Sequence, residues 1–243
     1  MRALTFASRN TKEIVRDPLT LIFGLGFPLV LILLLSAIQR SIPVALFEIE
    51  HLAPGITVFG LSFISLFSAT IISKDRSTSF AERLYTTPMT SFDFILGYTL
   101  PFIAISVLQG IISYLAAIAL GLEVSVNIIF SVISIAPVSI LFIAIGLLAG
   151  SVLNDKAVGG VCGALLTNLS AWLSGIWFDL ELVGGVFRKV AHALPFYHAV
   201  ELERGILRGD FNSLLPHIYY VLGYAFIIFA LAVFLYLKQM KKR

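Results

Sequence analysis

Charge and cysteine are scarce in this 243-residue chain. Charged residues make up 13% of it against 58% hydrophobic residues, with a mean hydropathy of +0.97; soluble domains carry about 25% charge. A soluble fold is excluded. The long apolar runs contain no Asp, Glu, Lys, Arg or His. Ion-coupled carriers usually hold an ionisable group at membrane depth, and intramembrane enzymes cluster carboxylates, histidines or metal ligands, so the composition disfavours both. The phosphate loop G-x-x-x-x-G-K-[ST] is missing, and no segment outside the apolar runs is large enough for a nucleotide-binding domain. Any ATP must therefore be bound, with its Mg, by another polypeptide, and no cofactor or metal is expected in this chain. The single cysteine, Cys162, excludes a disulfide framework and reads as a buried, inert thiol. The N-terminal polar lead is too long for a cleavable signal peptide, and no A-x-A site follows it. The basic residues flank apolar runs instead of forming a stripe, which gives a nucleic-acid role no support.

What is present is an all-α polytopic membrane protein. A span needs about 20 mostly apolar residues, and runs of that length occur at 19–38, 52–73, 94–120, 128–153, 157–178 and 218–237. They are continuously apolar, not alternating, so they predict six helices and not barrel strands. Only Asn154-Asp155-Lys156 separates the fourth and fifth, which predicts a tight hairpin. With the N-terminus inside, 12 Lys and Arg fall on the cytoplasmic side and 5 outside. Both termini are therefore expected in the cytoplasm of a cell-membrane protein.

Several decorations surround this single domain of residues 1–243. Residues 1–17 set Leu4, Ala7, Thr11, Ile14 and Val15 towards one side of an interfacial helix lying on the leaflet, and Asp17-Pro18 predicts a bend before the first span. The segment 74–93 is a polar insert between spans two and three. Its run through Arg76, Phe80, Arg83 and Leu84 has helical character, with Asp75 and Ser77 as candidate caps and Thr87-Pro88 as a stop. Spacing alone reads equally well as a partner-docking helix or as a solvated interfacial loop. The outer segment 179–217 predicts two short helices, 186–194 and 196–207, separated by Pro195. An outer hairpin dipping back towards the membrane and an ordinary ordered loop both fit it.

Residues also suggest surfaces. Phe59, Phe63 and Phe67 recur at i, i+4, i+8 on span two, while Thr167, Asn168, Ala171 and Trp172 occupy neighbouring faces of span five. These serve either amphiphilic cargo or plain helix packing. Gly146–Gly150 and Gly159–Gly163 fit the small-x-x-x-small pattern of close helix contact, with chance as the alternative. His51, His192, His198 and His217 are all expected on the outer side and read as surface or structural residues, with a pH-sensing or metal role as the alternative.

The ordered series Arg16-Asp17-Pro18, Leu52-Ala53-Pro54-Gly55-Ile56, Lys74-Asp75-Arg76, Glu82-Arg83-Leu84 with Thr87-Pro88, Gly97, and Leu194-Pro195-Phe196 with Glu203-Arg204-Gly205 resembles the ABC-2 type permeases. These are membrane subunits of ATP-binding-cassette exporters. Within them the chain is similar to the short bacterial drug and antibiotic exporters, such as the daunorubicin-resistance permeases. The resemblance implies two permease copies, paired as a homodimer, above two cytoplasmic ATPase subunits. It implies a coupling helix carrying Asp75, Arg76, Phe80, Glu82, Arg83 and Leu84, and a substrate path past Phe59, Phe63, Phe67, Thr167, Asn168, Ala171 and Trp172. An outer gate would involve Pro195, Phe196, Glu203 and Arg204. Export by alternating access is the implied function. A non-transport assembly or sensor subunit, and less favourably a secondary carrier, are the alternatives.

Overall fold

A computed structural model describes residues 2–42, 47–78, 87 and 89–240. Among the described residues the chain is helical with no strand. Ten helices follow in order among these residues. α1 (Arg2–Arg16) leads through Asp17 into α2 (Pro18–Gln39), whose turn at Ile22–Gly26 widens to π geometry. Next come α3 (Ile49–Ser77), α4 (Ser91–Ala119), α5 (Val126–Val152) and α6 (155–173), the last widened over Gly159–Leu166. The short α7 (Leu180–Val183), α8 (Gly185–Ala193) and α9 (Pro195–Arg208) precede α10 (Leu214–Met240).

Among the described residues five helices are long and apolar enough to cross a membrane: α2, α3, α4, α5 and α10. The expected fifth span, 157–178, is instead the interrupted helix α6, which ends at Leu173 and gives way to turns over 174–178. At 1.5 Å per residue its 19 residues reach about 28 Å. The hairpin with α5 is nevertheless tight, because Asn154 caps α6 by accepting from the Ala157 amide at 2.9 Å.

Helix α3 is the axis. Its apolar window is 89% buried, against 28% for α2 and 17% for α10, which expose Val30, Leu33, Phe226 and Phe234. Helix α5 packs along α3 most extensively, with α10 on its other side. Side chains that would be unfavourable on a soluble surface thus face outward on the peripheral helices, as lipid contact requires. The α1–α2 bend forms as expected. Asp17 accepts from the Leu19 amide at 3.3 Å and the Thr20 hydroxyl at 2.6 Å, and Pro18 opens the next helix.

Helix α1 is rotated from the expected face. Phe6, Ala7, Asn10 and Ile14 are buried, whereas Leu4 and Val15 are exposed. Two contacts set this rotation. The Asn10 amide donates to the Gly97 carbonyl at 2.9 Å, and the Phe6 ring sits edge-on to Phe94 and Tyr98, with centroids 5.6 and 4.9 Å away. The helix therefore spends its apolar face on α4.

Candidate functional site

The end of the molecule that holds α1 is built from polar contacts. Lys74–Ser77, expected in the insert, belong to the last turn of α3, and the Ser77 hydroxyl donates back to Lys74 O. Asp75 explains the extension. It is 5% exposed and accepts both guanidinium nitrogens of Arg9, at 2.9 and 3.0 Å, and the Tyr98 hydroxyl at 2.8 Å. Arg9 also reaches Glu13 at 2.8 Å. Arg76 donates to the carbonyls of Gly150 at 2.5 Å and Leu153 at 3.3 Å, at the end of α5. Polar residues that read as loop are thus a clamp joining α1, α3, α4 and α5. Gly97 belongs to it, because a Cβ there would lie 2.2 Å from the Phe6 ring. At the other side of the insert, Thr90 and Asp93 form a capping box that starts α4. The remaining coupling candidates Phe80, Glu82, Arg83 and Leu84 lie outside the described residues.

Midway along α3, the structure brings the aromatic stripe onto α2 and the turn after α6. Phe59, Phe63 and Phe67 are all buried. Phe63 meets Phe27 edge-on at 5.3 Å and stacks with Phe23 at 6.0 Å, while Phe59 meets Trp177 at 6.1 Å. A Cβ at Gly24 would lie 3.6 Å from Phe67, so the widened turn of α2 lies directly on the stripe. On α6 the expected path residues separate. Thr167 and Ala171 are buried, and the Thr167 hydroxyl donates to Cys162 O at 3.0 Å, a five-residue step that matches the π register. Asn168 and Trp172 are exposed, on the same side as Val161 and Leu165. The Asn168 amide donates to Ala164 O at 2.8 Å, leaving its carbonyl oxygen facing outward from an apolar face.

At the opposite end, α9 is buried against α3, α5 and α10, with Pro195, Phe196, Glu203 and Arg204 all inside. Arg204 is a latch. Its guanidinium donates to His51 O at 3.3 Å, Gly175 O at 3.1 Å and Glu201 at 2.9 Å, joining α9 to the start of α3 and the end of α6. Gly55 leaves room for this, since a Cβ there would lie 3.1 Å from Ile176. Glu203 is fully buried and accepts the Ser134 hydroxyl at 2.6 Å, with the Tyr114 hydroxyl 3.5 Å away. Burial pushes its carboxyl up to about 8, against the lowering effect of those two hydroxyls.

Sequence spacing did not show that His192, His198 and His217, all expected on the outer side, meet. His198 Nε2 donates to His192 O at 2.8 Å, so in its neutral form Nδ1 accepts, and His217 Nδ1 lies 2.9 Å from it. Tyr220 stacks on the His198 ring at 3.8 Å. Burial, and then the neighbouring His217, lower the His198 pKa, while the bond to His192 O opposes them. Among the described residues no group of three His, Cys, Asp or Glu is arranged to hold a metal ion.

No curated protein matches the chain. A family model, that of the ABC-2 type transporter, matches residues 2–208, from the start of α1 to the end of α9. The clamp, the α3 stripe and the Arg204 latch all lie within that match, and the chain belongs to the ABC-2 type transporter family as a multi-pass membrane permease subunit, which works with an ATP-binding partner subunit.

Proposed function

We propose that the chain is the permease half of an ATP-driven exporter that moves an amphiphilic substrate out of the cytoplasm by alternating access. The observation that carries the reading is the clamp around Asp75. It binds α1 to the ends of α3, α4 and α5 beside the insert. A push delivered there is passed to four helices as one unit, because packed elements transmit displacement and do not absorb it. The Arg204 latch at the far end is the corresponding outer closure, since it ties α9 across α3 and α6.

Two ATPase subunits and two copies of the permease complete the transporter, with both termini cytoplasmic. The pairing surface is the outward face of α6, where Asn168 presents a carbonyl oxygen among Val161, Leu165 and Trp172. An unpartnered amide is costly against hydrocarbon, and a second copy can supply the donor. The cargo class spans drugs, antibiotics, peptides and lipid-like molecules.

The test is reconstitution with the cognate ATPase in vesicles. ATP-dependent movement of cargo, with cargo-stimulated hydrolysis, is expected to disappear when 79–88 is scrambled. If the chain binds no ATPase and the scrambled variant keeps full activity, the reading fails. Normal ATPase docking without any cargo movement would favour a sensor or assembly subunit instead.

A further inference from the structure

We propose that the groove between α1, the start of α2 and the end of α3 is a binding site for an anionic phospholipid headgroup, independently of what the transporter carries. The groove is a cavity of ≈ 1030 Å³. Its floor is apolar and buried, made by Ile14, Phe67 and Ile71, and its rim carries the exposed cations Lys12, Arg16 and Lys74.

The charge of this rim is left over after internal pairing. Four cations and two acids line the groove. Arg9 is consumed by Asp75 and Glu13, and Glu13 has Arg9 as its partner. Asp17 accepts from the Leu19 amide and the Thr20 hydroxyl, neutral donors that leave its charge in place, so four cations against two acids give the lining a net charge of +2. Lys12, Arg16 and Lys74 form no ion pair among the described residues. Lys12 and Arg16 stand one turn apart on α1 and Lys74 stands on α3, all lining one opening above a floor that accepts hydrocarbon.

A phosphodiester headgroup with its acyl chain matches both halves. The phosphate oxygens neutralise cations on the rim, and the chain covers Phe67 and Ile71. A soluble protein loop would have to bury an apolar wedge between membrane helices to fill the same floor. Basic residues near a leaflet each add attraction for anionic lipid, so the three together favour it by at least tenfold over a zwitterionic one.

The experiment is quantification of lipid retained by the purified full chain after exchange into mixed micelles of phosphatidylglycerol and phosphatidylcholine. The wild type is expected to retain phosphatidylglycerol at least tenfold in excess. The triple variant Lys12→Gln, Arg16→Gln, Lys74→Gln should lose that excess, and Lys12→Gln alone should lose part of it. A variant neutralised to the same extent elsewhere, Lys156→Gln, Arg188→Gln, Lys189→Gln, should keep it. All three variants alter exposed side chains, and size-exclusion elution checks that each is folded. Equal retention of the two lipids by the wild type overturns the proposal, as does equal loss in the control. Displacement of the lipid by millimolar inorganic phosphate would mean an anion site without a chain-binding floor, and would also overturn it. If the triple variant keeps the lipid but loses ATPase co-purification, the groove is a protein-docking surface and the proposal fails, whether or not transport itself is established.

Discussion

Removing either partner of the Arg9–Asp75 bridge should loosen the clamp more than it harms insertion. Asp75 is buried with a bidentate guanidinium and the Tyr98 hydroxyl as its partners, so Arg9→Ala leaves a buried carboxylate with one donor. Exposed pairs contribute little, but leaving a charged acceptor unpaired costs more. The expected loss is about 1–2 kcal/mol, discounted because Arg9 itself is partly exposed. Thermal unfolding in detergent should show it, and a double-mutant cycle with Asp75→Ala should recover most of it as coupling. Lys156→Ala, on an exposed side chain, should melt like the wild type. A second residue-scale expectation concerns Glu203. Its folded-state pKa is raised from 4.5 to about 8, so between those values the native state holds a proton that the unfolded state has released. Stability is then greatest at low pH, falls as pH rises from about 4.5 to 8, and levels off above. Glu203→Gln keeps the neutral shape and an acceptor for Ser134. It should flatten that slope and match or exceed wild-type stability at pH 8, which melting curves across pH 5–9 would show. A steeper slope in the variant would contradict the assignment.

At the scale of elements, two glycine pairs with the same spacing behave differently. A Cβ at Gly146 would lie 2.4 Å from Ser65 O, and one at Gly150 would lie 2.6 Å from Ala69 O, so α5 touches the backbone of α3 at both. Gly159 meets nothing within 4 Å and Gly163 meets only Leu66. The motif was legible in sequence for both pairs, and only the packing separates them. Gly150→Val should therefore destabilise by about 1–3 kcal/mol or more, an overpacking cost with backbone as the obstacle. Gly159→Ala should be nearly neutral. Folded yield by fluorescence-detected size exclusion ranks the two, and equal behaviour would mean that α5 can shift away from α3.

The same scale shows why some of the fold could be read in advance. Apolar runs locate α2, α3, α4, α5 and α10 because length and composition are local properties. The α1–α2 bend and the helices α8 and α9 follow from Asp17-Pro18, Gly184-Gly185 and Pro195 for the same reason. The rotation of α1 was not legible, since it depends on a bond from Asn10 to Gly97, 87 residues away. The polar end of α3 read as loop because Asp75 finds Arg9 only in three dimensions. Of the candidate site, the identity of Glu203 and Arg204 was visible as a motif. Their roles were not, since the partners Ser134, His51 and Gly175 lie on other helices.

For the whole molecule, the polar clamp and the Arg204 latch sit at opposite ends, so the direction in which the chain crosses the membrane decides which end an ATPase can reach. The excess of Lys and Arg near α1, the α3 terminus and the α5–α6 turn argues for the clamp end in the cytoplasm. Chain chemistry makes this easy to check. Cys162 is the only cysteine and is fully buried, so Cys162→Ala gives a silent background for labelling. In that background Lys12→Cys should react with a membrane-impermeant maleimide only after cells are opened, whereas Lys189→Cys on α8 should react in intact cells. The reverse pattern would invert the transporter, put the latch beside any cytoplasmic ATPase, and leave the clamp with no coupling role.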